Sequence, residues 1–207
     1  MQIIVKTAPE ELLRARKWWN DLEMQWKMAY NEAVFGAGPT LATPADDPLM
    51  MLLIGVDTLR LAGPTAFNSN VSTPLTNLSG LLPLYNLKYL SITHMKLREV
   101  RSLRHFTKLE HLFLNENQIE SLHGIEPLVH LKELYVQHNQ LRDLKPIHKL
   151  TRLETLYASG NQLTSLQGLT PAHADHMRRC YVLPNEELRD REILRVQQEA
   201  GIICRRG

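Results

Sequence analysis

The chain has 207 residues, with 24 Lys and Arg against 22 Asp and Glu and only two Cys. So small a basic excess points to neither a nucleic acid nor an anionic membrane as partner, and this length suits a single core. Cys180 and Cys204 cannot make the dense framework of a small secreted domain, which predicts a reducing, cytoplasmic setting. The opening stretch from Met1 to Glu10 has no long apolar run after a basic start, so no signal peptide is expected. The most apolar window, Leu49 to Val56, is too short to cross a bilayer.

In chain order, Thr7, Ala8, Pro9 and Glu10 form a capping-box pattern that predicts a helix start. The helix is expected to run to about Phe35, where Gly36 offers a left-handed stop. Along it Leu12, Ala15, Trp19, Leu22, Trp26, Ala29 and Ala33 alternate in steps of three and four, an apolar stripe. The stripe admits two readings. One lays the helix over the first unit of the fold that follows, the tryptophans covering its core. The other makes a homodimer through a coiled coil, because Trp18, Met24 and Met28 lie off the stripe. A connector rich in Gly and Pro follows over residues 36–48, then a short buried helix from Leu49 to Ile54.

From Val56 onward the pattern changes to a repeat of 22 residues. Leu87, Leu109, Leu131 and Leu153 share a column; Leu90, Leu112, Leu134 and Leu156 share the next; Ile92, Leu114, Val136 and Ala158 the third. Met95, Asn117, Asn139 and Asn161 follow, then Leu97, Ile119, Leu141 and Leu163, then Val100, Leu122, Leu144 and Leu166. Val56, Leu59 and Leu61 match the first three columns, but residues 62–74 hold an insertion rich in Gly, Pro, Ser, Thr and Asn. That loop reads equally well as a specificity element or as a tolerated insertion. Between strands, apolar residues recur every third position, as at Leu144, Ile147 and Leu150, which predicts 3₁₀ turns. After Leu169 the register fails at Asp175. Shifted by two residues, it resumes with Met177, Cys180, Val182 and Asn185, giving a degenerate last strand. The run from Asn185 to Val196 predicts a closing helix that stops near Gly201.

The motif L-x-x-L-x-L-x-x-N-x-L over Val56 to Leu169 resembles the leucine-rich repeat family, in the 22-residue form of SDS22-like phosphatase regulators and internalins. The expected fold is an α/β solenoid, right-handed, with a parallel concave sheet, 3₁₀ turns on the convex side and helical caps at both ends. The expected organisation is a helical N-terminal cap over 1–55, repeats over 56–169, and a degenerate repeat with a C-terminal cap over 170–207, all one domain. The resemblance implies that Asn117, Asn139 and Asn161 bond to turn backbone, and that Pro64 and Met95, which depart from the column, leave the first two turns held differently.

Strand side chains alternate, so residues between the leucines face outward on the concave side. Arg60, Ser91, Phe113, Tyr135 and Tyr157 form one outward column. Thr58, Tyr89, His111, Glu133 and Thr155 flank it on one side, and Ala62, Thr93, Asn115, Gln137 and Ser159 on the other. Of these, Arg60, Tyr89, Ser91, His111, Phe113, Glu133, Tyr135, Gln137 and Tyr157 are the candidate partner-binding residues. Aromatic side chains on a rigid sheet anchor partners with little entropy loss, or they stack on one another and simply cover the sheet. His94, His111 and His138 lack metal-ligand spacing, and no phosphate loop or nucleophile motif occurs, so neither cofactor nor catalysis is expected. Nucleic-acid binding would need a basic groove beside the aromatics, and Arg60 is the lone basic residue of the three columns. The expected function is non-catalytic capture of a protein or peptide on the concave face; the alternative is a self-associating scaffold built through the Trp-bearing helix or that same face.

Overall fold

Five-residue and three-residue strands, each carrying its leucines on one side, can bury them only by stacking unit on unit. The computed structural model of the chain, which describes residues 9–207, shows that arrangement. Seven strands lie in one parallel sheet in sequence order: β1 (Thr58–Ala62), β2 (Tyr89–Thr93), β3 (His111–Phe113), β4 (Glu133–Tyr135), β5 (Thr155–Tyr157), β6 (Arg179–Leu183) and β7 (Cys204–Arg206). The register follows the sequence columns: Leu59 pairs with Leu90, Leu90 with Leu112, Leu112 with Leu134, Leu134 with Leu156 and Leu156 with Cys180. On the convex side the chain returns through short 3₁₀ turns at Ser79–Leu81, Arg101–His105, Lys145–Lys149 and Pro171–His173. One apolar core runs from Ala15 in the N-terminal cap to Ile202 beside the last strand.

The asparagine column ties each repeat to the one before it. Asn139 accepts from the Ile119 amide at 2.9 Å and donates to the carbonyls of Leu114 (2.9 Å) and Val136 (3.1 Å). Asn117 and Asn161 repeat the pattern one unit earlier and one later. Asn185 continues it, accepting from Leu163 at 3.2 Å and donating to Ala158 and Val182, which confirms the two-residue shift in the last unit. Where Met95 replaces asparagine, its sulfur accepts from the Leu75 amide at 3.3 Å. The residue before each column position, His94, Glu116, His138 or Gly160, has a left-handed backbone, with φ of 56° for the three side-chain-bearing residues.

The N-terminal helix is not continuous. It is broken into α1 (Pro9–Asp21) and α2 (Met24–Ala33), and α3 (Asp46–Gly55) follows the connector. The break falls at Leu22 and Glu23, where Glu23 has an extended backbone and its carboxylate accepts from Asn77 and Ser79 of the first repeat. The residues of the capping-box pattern that precede Pro9 lie outside the described residues. Despite the break most of the stripe is buried: Ala15, Trp19, Leu22, Trp26 and Ala29 are in the core, and Leu12 and Ala33 at its ends are partly buried against it. The Tyr30 hydroxyl donates to the Gly80 carbonyl at 2.8 Å, and the Trp26 ring packs so closely on Gly80 that a Cβ there would overlap it. The tryptophan seam is thus used inside the chain. The insertion is also tied down: Ser72 donates to Glu32, and Asn70 both accepts from the Ala62 amide and donates to the Arg60 carbonyl, on the outer edge of β1. Only its tip, with Phe67 fully exposed, stands clear.

At the other end, α4 (Asp190–Ala200) begins five residues later than the sequence predicts, because the Asn185 side chain is committed to the asparagine column. It ends at Gly201 with φ of 66°, as expected. Glu192 accepts from the Leu166 amide and the Ser165 hydroxyl and fixes α4 on the last regular repeat. The strand β7 beyond it is an element the sequence columns do not announce.

Candidate functional site

Parallel pairing sets outward residues of successive strands side by side, at roughly 4.8 Å. Phe113, Tyr135 and Tyr157 are therefore register partners, and their rings stack with centroids 4.5 and 4.6 Å apart. The stack extends at both ends beyond those three. Tyr181, the register partner of Tyr157, adds a ring at 4.3 Å. At the other end Ser91 leaves room beside Phe113, and Tyr89 leans across from the flanking column to stack at 5.0 Å. The Arg60 guanidinium sits 4.6 Å from the centre of the Tyr89 ring. The concave face thus carries five rings in one continuous ladder, all half-buried.

Tyr181 was open to sequence reasoning, since the shifted register places it between Cys180 and Val182 in the outward column. Arg205, in register with Tyr181 on β7, was not, because three residues after a glycine carry no strand signal. Burial pushes the Tyr135 and Tyr157 hydroxyls above the usual phenol range, with Glu133 adding to the rise at Tyr135 and Tyr181 at Tyr157. Both remain protonated donors at neutral pH.

On the flank, His111 Nδ1 lies 2.9 Å from a Glu133 oxygen, and Arg179 approaches the other Glu133 oxygen at 3.8 Å while donating to the Thr155 hydroxyl. On the opposite flank Gln137 Oε1 is buried and has no protein partner. The three histidines considered for metal are not brought together: His111 faces Glu133, His138 lies 3.9 Å from Glu116, and His94 Nδ1 is buried without a partner. Among the described residues no group of three or more His, Cys, Asp or Glu is placed to hold a metal ion. Cys180 and Cys204 are free thiols opposite each other on β6 and β7. The contact with Cys204, reinforced by burial, holds the Cys180 thiol well above the ordinary range. No described helix is long and apolar enough to cross a membrane.

The leucine-rich repeat family model (two copies) matches residues 129–171. No curated protein matches the chain in sequence. Among solved structures, an internalin C2 of Listeria monocytogenes is 21% identical, with 77% of this chain and 83% of that chain covered and a TM-score of 0.52. A second Listeria monocytogenes internalin is 20% identical over 60% of this chain, with a TM-score of 0.48; the chain spans 42% of its length. The leucine-rich-repeat ectodomain of the Arabidopsis thaliana receptor kinase SOBIR1 is 20% identical, with 56% of this chain and 66% of that chain covered and a TM-score of 0.48. At such identities the likeness concerns fold. With its repeating columns, its parallel sheet backed by 3₁₀ turns and the family match over residues 129–171, the chain has the fold of a leucine-rich-repeat solenoid, the fold it shares with the internalin C2.

Proposed function

We propose that the chain is a non-catalytic binding module that holds a protein or peptide on its concave face. The observation that carries this reading is the aromatic ladder from Tyr89 to Tyr181. Its rings are half-buried rather than covered, and they stand on a sheet whose every interior strand is paired on both sides. Such a surface is rigid before it meets a partner, so little freedom is lost on binding. Cytoplasmic placement belongs to the same proposal, as a compartment in which Cys180 and Cys204 stay thiols; cell fractionation tests it.

The test of the binding reading is a variant carrying Phe113→Ser, Tyr135→Ser and Tyr157→Ser. Each lost ring pair weakens the fold by about 0.5–1.5 kcal/mol, so the variant melts lower but stays folded. Affinity capture from lysate should then recover none of the proteins held by the unaltered chain. Capture that is unchanged, with a lowered melting temperature, would sink the concave-face reading.

A further inference from the structure

The ladder has a charged residue at each end of its own column. Arg60 on β1 and Arg205 on β7 are both exposed, and neither has a carboxylate partner among the described residues. Glu133, the one carboxylate in the three outward columns, is occupied by His111 and Arg179. The face therefore presents an aromatic middle between two cationic ends, and it complements a ligand that is apolar centrally and anionic at both ends. Nucleic acid fits poorly, because base stacking needs free ring faces, whereas Phe113, Tyr135 and Tyr157 each have a neighbouring ring on both sides and offer only their edges.

The conformation of a peptide ligand is also constrained. A chain that crosses the strands over the face of the sheet cannot join the backbone ladder, whose groups are already paired between neighbouring strands. It must lie in a form that needs no backbone partner outside itself; an α-helix, with a pitch of roughly 5.4 Å, falls out of step with the rings, whereas polyproline II keeps step with them. One turn of it rises roughly 9.3 Å, and the rings recur every 4.3–5.0 Å, so each turn spans two rings. Six strand intervals separate Arg60 from Arg205, roughly 29 Å at ~4.8 Å each, which polyproline II covers in about nine residues.

Resting on the binding function proposed above, we infer that the concave face takes an extended, proline-rich peptide with acidic residues about nine positions apart, one at Arg60 and one at Arg205. The probe is a fluorescein-labelled peptide with a glutamate at each end of an eight-residue proline and leucine segment, titrated with the full chain by fluorescence anisotropy. Saturable binding is expected, weakened about tenfold by Arg60→Glu and about tenfold by Arg205→Glu, both at exposed positions that leave the chain folded, with the melting temperature lowered slightly in Arg60→Glu by loss of the contact with Tyr89. A peptide shortened by four residues should lose a similar factor. The inference is overturned by any of four results: no binding of the probe, equal binding when both arginines are reversed, equal binding of a lysine-ended peptide, or tighter binding of a single-stranded oligouridylate. If the probe fails while the triple aromatic variant still abolishes capture from lysate, this inference falls and the broader function stands. Capture that survives the triple variant removes both.

Discussion

Asn139 shows how one side chain holds two repeats. It is buried, and it links the Ile119 amide to the Leu114 and Val136 carbonyls, groups that no water reaches. Asn139→Ala strands the Ile119 amide, at roughly 1–3 kcal/mol for an unsatisfied buried group, while the Leu114 and Val136 carbonyls keep a donor each in Asn117 and Asn161. Urea unfolding should therefore show a loss of about 1–3 kcal/mol. His173 is a second buried polar residue with a defined state. Its Nε2 donates to the Ile147 carbonyl, which can only accept, so Nδ1 is left to accept from Thr170. Burial lowers its pKa below the ordinary 6.5, and the folded chain binds this proton less readily than the unfolded chain does. Its influence on stability is therefore nil above about pH 6.5 and adverse below it, as the unfolded state takes up the proton first. The fall in melting temperature between pH 7.5 and 5.5 should shrink in His173→Gln, whose amide keeps the donor to Ile147; an unchanged fall would assign the effect to other groups.

At the scale of elements, the N-terminal cap depends on close approach. Gly80→Ala puts a methyl group into the Trp26 ring and displaces the carbonyl that Tyr30 bonds. A loss of about 1–3 kcal/mol is expected from such overpacking, with a shift in tryptophan emission as α2 moves off the first repeat. The break between α1 and α2 was illegible in the sequence because the apolar stripe runs straight through Leu22. What decides it is the bonding of Glu23 to Asn77 and Ser79, more than fifty positions along the chain. The leucine columns were legible for the opposite reason: each repeat presents the same local pattern and needs only its neighbours. Tyr89 lies between these cases. Its face followed from alternation, but its place in the ladder depended on the small side chain at Ser91. The late start of α4 was hidden too, since Asn185 looks like a helix-starting residue until the strand before it is put in register.

At the scale of the whole molecule, the two ends of the sheet are finished differently. The insertion after β1 covers an edge: Asn70 takes the outward Ala62 amide and Arg60 carbonyl much as a neighbouring peptide group would, and the amides of Asn70 and Val71 take the Ala62 carbonyl. Exposed strand edges invite pairing with other chains. The inserted residues, open in the sequence to a role in recognition, thus block that pairing at the first strand. At the last strand, two exposed arginines on β7 discourage the same event by charge.

Because Asn117, Asn139 and Asn161 each reach back by only one repeat, the solenoid has no bond that counts how many repeats there are. Its length is a free parameter. Deleting residues 115–136 removes one 22-residue period and leaves Asn139 facing the repeat that Asn117 had faced, with both caps unaltered. The shortened chain should fold cooperatively with a lower melting temperature, and Phe113 should stack directly on Tyr157. If the ladder measures its ligand, the same deletion brings Arg60 and Arg205 closer by roughly one strand spacing, ~4.8 Å. The preferred peptide should then shorten by one or two residues, a ruler cut by one division.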